Sequence, residues 1–180
     1  SDVCSSDLDA SSPDASVPSA DAGVEPGGSW ETVGFGVSYR DTGFGDLGSV
    51  ERRSVLVVYG GYTSTLEAVQ AWSLALWGAD LRARGVRHVY AVQGPRDAAY
   101  NAREIQNSRL APHLVARTTS ATPFIAVAAH SSGAFPAHEL FDQLFNRAHD
   151  PRRVTDERIV YYNLDGGSLL LNASLVARLR

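Results

Sequence analysis

The sequence has no lysine, no methionine and only one cysteine, Cys4. A lone cysteine excludes an internal disulfide framework and any cysteine-based metal site. All 16 basic residues are therefore arginine, which together with the abundant alanine reads as a GC-rich genome rather than as a cationic binding surface. Without a methionine, position 1 is not read as a translation start, so any signal peptide is expected upstream. Nowhere do apolar residues continue for the roughly 18 positions that a membrane span requires. Charge of one sign is also scarce over most of the chain. Residues 1–28 hold six acids and no base, so the formal net charge of −4 becomes +2 over the remainder. A nearly neutral folded part offers no surface suited to nucleic acid or to an anionic membrane.

What is present suffices for one domain with a core: 180 residues, 44% of them apolar. Residues 1–8 (SDVCSSDL) are what a common sequencing-adapter string would encode, and are expected to be an artefact of that origin. Residues 9–29 are Asp, Ala, Ser, Pro and Gly with almost no large apolar side chain. Such a segment cannot bury enough surface to offset its ordering entropy and reads as a disordered linker. It fits the tether of an exported, envelope-anchored or extracellular bacterial protein as well as it fits an ordinary interdomain linker. Residues 30–180 then form the domain.

Within it, two periodicities alternate. Val33–Arg40 alternates like a strand, and 41–48 is a glycine-rich turn region. Ser54–Tyr59 (SVLVVY) and Phe124–Ala129 (FIAVAA) are short continuous apolar runs, as in strands buried on both faces. Val86–Val92 and Arg158–Leu164 are further strands. The pattern predicts a helix over Ser64–Arg84, with Ser64 and Glu67 as a capping box, Leu66, Val69, Trp72, Leu76 and Trp77 along one side, and Gly85 as the stop. A second helix is expected over Asp97–Leu110, broken near Pro112, and a third over Ala134–Arg147 with Phe135, Leu140, Phe141, Leu144 and Phe145 inward. Strand–helix–strand repetition implies an α/β domain with a mainly parallel twisted sheet and helices on both faces. The helical apolar stripes read as core, with no cofactor role.

The chemistry concentrates in Phe124–Phe135, FIAVAAHSSGAF. A buried strand runs through Ala129-His130-Ser131-Ser132-Gly133 directly into a helix. A serine on so tight a turn is driven toward positive φ, and its neighbours two before and two after must be small, as Ala129 and Gly133 are. The turn lifts the Ser131 hydroxyl above the strand ends and aims the following helix's N-terminus at any negative charge formed there. Ser132 is the rival nucleophile, but its elbow would put the bulky His130 two positions before it. The stretch resembles the nucleophile elbow of the α/β-hydrolase superfamily, G-x-S-x-G, with Ala129 in place of the first glycine. The run Val37–Thr63 is similar to that superfamily's opening, in which a strand ends in an H-G or G-G pair; here Tyr59 stands where the histidine would.

The resemblance implies a serine hydrolase that cleaves an ester, amide or thioester of a small or lipid-like acyl substrate through an acyl-enzyme on Ser131, with no metal and no cofactor. By position, the oxyanion hole would be built from the backbone N–H of Ser132 and of Gly61 or Tyr62, although Gly60 and Gly61 could equally be a tight turn. Asp165, ending the strand RIVYYNL, is the candidate acid, and Asp-Gly-Gly is also ordinary turn chemistry. Arg96 and Tyr100 follow a strand on the ligand-binding side and are candidates for substrate contact, against a solvated Arg96 and a helix cap at Asp97. The five histidines, His88, His113, His130, His138 and His149, read as structural or surface residues. The resemblance implies that the catalytic histidine lies beyond residue 180 and that residues 33–180 correspond to about the first two thirds of a full domain. An inactive binding protein and an acyltransferase on the same fold are the alternatives.

Overall fold

Two glycines flanking Phe35 decide how the sheet begins. Gly34, Phe35 and Gly36 all take positive φ, at 124°, 48° and 74°, so the chain reverses there. The expected single strand over Val33–Arg40 is instead a hairpin of β1 (Glu31–Gly34) and β2 (Val37–Asp41). Alternation of apolar and polar residues cannot reveal such a break, because Gly-Phe-Gly keeps the same alternation through the turn.

The computed structural model describes residues 27–44, 53–96, 103–145 and 159–165. The adapter-like segment and nearly all of the linker lie outside them, as do Tyr100, His149 and the chain beyond Asp165. After the hairpin come β3 (Ser54–Tyr59), α1 (Leu66–Ala83), β4 (Val86–Val92), α2 (Arg103–Val115), β5 (Ile125–His130), α3 (Ala134–Phe145) and β6 (Ile159–Leu164). The strands make one six-stranded sheet in the order β1-β2-β4-β3-β5-β6. β1 and β2 run antiparallel to their neighbours, and β4, β3, β5 and β6 run parallel. The protein is thus α/β with a mixed, mostly parallel sheet.

β3 and β5 are central, paired in register from Val55↔Ile125 to Tyr59↔Ala129. Their unbroken apolar sequence follows from that place: both faces of each are covered by helices. On one face Val69 and Leu81 of α1 pack against Leu56, Val58, Val89, Ala91, Ala126 and Ala128. On the other, Leu110 and Leu114 of α2 and Ala137, Leu140 and Phe141 of α3 pack against Val55, Val57, Tyr90 and Val127. β3 therefore sends its chain to one face and β5 sends its chain to the other. The carboxyl ends of these neighbours form a topological switch point, where open α/β sheets leave a crevice for ligands.

Several local expectations are revised. α1 begins at Leu66, and its cap is Thr65, whose hydroxyl accepts from the Ala68 N–H at 3.2 Å. Ser64 is not the cap because its N–H closes a turn onto the Gly61 carbonyl at 3.0 Å, holding it in the preceding loop. Leu76, expected inward, is 55% exposed, and the buried positions are Val69, Ser73 and Leu81. Ser73 tolerates burial because its hydroxyl donates to the Val69 carbonyl at 2.6 Å. α2 runs through Pro112 without a break, losing one main-chain hydrogen bond there. Among the described residues no helix is long and apolar enough to cross a membrane.

Candidate active site

Among the described residues, three of the four non-glycine residues with positive φ stand just past the carboxyl ends of adjacent parallel strands: Thr63 (61°) after β3, Ser131 (49°) after β5 and Asp165 (61°) after β6. Left-handed backbone is uncommon for serine and an outlier for a β-branched threonine, and such strain gathers at functional sites. Phe35, the fourth, is in the hairpin turn, which lies at the same edge because Val37 pairs with Val92 at the end of β4.

Ser131 takes the sharp turn expected of it. His130 is extended, with φ −96° and ψ 129°, Ser131 turns to positive φ, and residues 131–133 form a single 3-10 turn that leads directly into α3. Ser131 is half-buried, whereas the Ser132 hydroxyl is shut off from solvent and has no hydrogen-bond partner among the described residues. The small residues the turn needs have identifiable neighbours. Ala129 is fully buried opposite Tyr59. A Cβ on Gly133 would lie 2.6 Å from the Gly60 carbonyl oxygen and 3.0 Å from that of Tyr59, so only glycine allows the elbow to press onto the end of β3.

The loop after β3 is fixed from several sides. Gly60 N–H donates to Val92 O at 2.9 Å, Thr63 N–H to Pro95 O at 2.8 Å, and Ser64 N–H to Gly61 O at 3.0 Å. Between them, the N–H groups of Gly61 and Tyr62 donate to no backbone carbonyl among the described residues. Gly94 of the β4 loop lies so close that a Cβ there would overlap the Gly61 carbonyl. Tyr62 itself is 51% exposed.

Asp165 is exposed and directly follows Leu164, the β6 partner of His130. Ser131 and Asp165 thus each leave the sheet just after the last paired residues of β5 and β6, at the same edge. Arg96 is exposed, and its guanidinium meets the side chain of Gln93, whose amide oxygen, once the amide is oriented to accept, lies 3.0 Å from Nη2. The sheet thus brings Ser131, Ser132, Gly61, Tyr62 and Asp165 to one edge; Arg96 leaves β4 at the same edge, tied to Gln93.

The histidines divide by face. His88 is buried in β4, with Nδ1 hydrogen-bonded to the Tyr39 hydroxyl at 2.9 Å. Burial pushes its pKa down to about 4; nearby Asp41 opposes this, and Arg117, Arg53 and Arg87 reinforce it. His113 is likewise held low by burial, then by Arg117, and bonds the Tyr90 hydroxyl at 2.9 Å. His138, on α3, meets the Tyr161 ring edge-on at 5.4 Å. His130 meets the Trp72 ring edge-on at 5.4 Å and, with Ser64, Ala68, Val69 and Trp72, lines a cleft of about 350 Å³ beside the elbow. A second cavity of about 170 Å³, lined by Trp77, Leu81, Phe124, Val160 and Tyr162 among others, lies at the opposite, amino end of the strands. Among the described residues no cluster of three or more His, Cys, Asp or Glu is placed to hold a metal ion.

The residue missed at the sequence level is Asn107. Tyr59, fully buried, donates from its hydroxyl to Asn107 Oδ1 at 2.8 Å. Asn107 Nδ2 in turn donates to the Pro136 carbonyl at 2.8 Å and to Glu139 Oε2 at 3.3 Å. This network ties β3, α2 and α3 together directly beneath the elbow. Tyr59 therefore faces the interior and not the crevice, and burial, followed by the Glu139 charge, raises its pKa well above the usual tyrosine range. A buried asparagine in an otherwise amphipathic helix was the available signal.

No protein-family model matches the chain, and a search of curated proteins finds no match either.

Proposed function

We propose that this protein is a serine hydrolase of the α/β-hydrolase type, cleaving an ester, amide or thioester through an acyl-enzyme on Ser131. The observation that carries the reading is the positive φ of Ser131 on a one-turn link from β5 to α3. It occurs at the switch point, beside a β3 loop with two adjacent N–H groups left without a described backbone acceptor. The strand order, with β3 between β4 and β5 and, among the described helices, α1 alone on its face, supports the same reading. So does the burial of the Ser132 hydroxyl, against the half-buried Ser131.

In this reading Ser131 Oγ attacks the acyl carbon and gives its proton to a general base. The carbonyl oxygen becomes an oxyanion and accepts hydrogen bonds from the N–H of Ser132 and of Gly61 or Tyr62. Such fixed donors contribute roughly 2.7–4 kcal/mol each to transition-state stabilisation. The leaving alcohol, amine or thiol takes the proton, and water then releases the acyl group by the same steps in reverse order. Asp165, one strand over, is the proposed acid that orients the base, which in the family's chain order is a histidine following the acid. The fold alone would not select this activity.

The test is fluorophosphonate labelling of the full-length protein. Labelling is expected in the wild type and in Ser132→Ala and to vanish in Ser131→Ala, with the melting temperature of Ser131→Ala unchanged within about 2 °C, since the side chain is half-exposed. Labelling that persists in Ser131→Ala would reject the nucleophile. A wild type that never labels would leave a binding protein on this fold.

A further inference from the structure

We propose that His130 is a positioning residue: its imidazole sets the place of the Gly61 backbone and, through it, of the oxyanion donors on the β3 loop. This rests on the acyl-transfer reading above. An ideal Cβ built on Gly61 would lie 2.6 Å from His130 Nδ1, 3.2 Å from its Cε1 and 3.3 Å from its carbonyl oxygen. Real Cβ atoms essentially never approach within 3.0 Å, so the ring lies flush against the Gly61 Cα, in the space a side chain would need. From another direction the ring is braced by Trp72, whose plane meets it at 80°.

The contacts close a circuit. Gly61 turns onto Ser64, Thr65 caps α1, α1 carries Trp72, Trp72 abuts His130, and His130 returns to Gly61. Other restraints on the loop include the close approach of Gly94 to the Gly61 carbonyl, the Thr63-to-Pro95 hydrogen bond, and the packing of Val69 and Gly133 against Gly60. The imidazole is the side chain nearest the Cβ position of Gly61, and so limits how far that residue can move toward the elbow. Because the ring also lines the open cleft of about 350 Å³, truncating it would extend that space to Gly61 and free the loop to shift.

Donors of this kind act on the charge of the transition state, so loosening them lowers kcat and leaves KM nearly unchanged. On a p-nitrophenyl ester, His130→Ala in the full-length enzyme is expected to lose about 10- to 100-fold in kcat, with KM within about twofold. His130→Phe, which keeps a flat ring but no ring nitrogen, is expected to recover most of that loss. Gly61→Ala should be damaging in the wild type and far less so when combined with His130→Ala, because the closest contacts, those with the ring, are then removed. The proposal is overturned if His130→Ala keeps its kcat, if His130→Phe is as impaired as His130→Ala, or if Gly61→Ala costs the same in both backgrounds. Wild-type protein that neither labels nor turns over would overturn the hydrolase reading itself. Wild-type labelling with an unaffected His130→Ala kcat would overturn the positioning role alone.

Discussion

The two faces of the sheet are built from alternate residues of the same strands, yet they hold together in different ways. The face under α1 is the drier: Leu56, Val58, Val69, Leu81, Val86, Val89 and alanines make its buried apolar cluster, and its buried polar residues include Ser73, bonded to the Val69 carbonyl, and Ser38, bonded to Gln70. The face under α2 and α3 is crossed by buried polar pairs, Tyr39 with His88, Tyr90 with His113, and Tyr59 with Asn107. Arg117 stacks over the Tyr39 ring at 4.6 Å, and Asp41 pairs with Arg87 at 2.5 Å nearby. A drier face depends mainly on apolar packing. A face with buried imidazoles also depends on their staying neutral, so the lowered pKa values of His88 and His113 make this side the more sensitive to acid.

That contrast can be broken outright by a cavity. Leu81→Ala, at 2% exposure on the dry face, is expected to destabilise by about 2–5 kcal/mol, and by the same amount at pH 7.5 and pH 5.5 in urea unfolding. A loss that grew on acidification would mean the dry face is coupled to titrating groups. Next in size is the pH effect itself. His88 has its folded-state pKa lowered from 6.5 to about 4, so below 6.5 the unfolded chain binds the proton more readily. Stability is therefore complete above pH 6.5 and falls as pH drops toward 4, by about 3 kcal/mol for this group. His113, shifted in the same direction, adds to the fall. Unfolding curves at pH 7.5, 5.5 and 4.5 should display the decline, and His88→Gln should flatten it; equal stability at all three would remove the distinction between the faces. The smallest effect sharpens a local point: Thr65→Ala is expected to cost about 1 kcal/mol through loss of the α1 cap, and Ser64→Ala much less, by thermal melts.

Much of the fold was legible because long-range order in α/β proteins is written in short-range pattern. SVLVVY and FIAVAA have no polar alternation, which only a strand covered on both faces can sustain, and they lie side by side as β3 and β5. The elbow was legible for a related reason: few residues other than Ala and Gly can flank a serine on so tight a turn. Other features were not readable because they depend on what approaches from elsewhere. Leu76 and Leu81 are both apolar on one helix, and only the position of the sheet decides that Leu81 is covered and Leu76 is not. Ser64 and Thr65 are both good caps, and the Gly61 turn assigns the role to Thr65.

By itself, the sequence determined the α/β class, the central strands, and a sharp strand-to-helix turn at Ser131. Each of these follows from hydrophobic period or from steric limits on a few neighbouring residues. Only the tertiary structure decided that Gly61 lies against the His130 ring and that Tyr59 faces Asn107. Those contacts join segments tens of residues apart, and close packing, which has no local signature in the chain, is what brings them together.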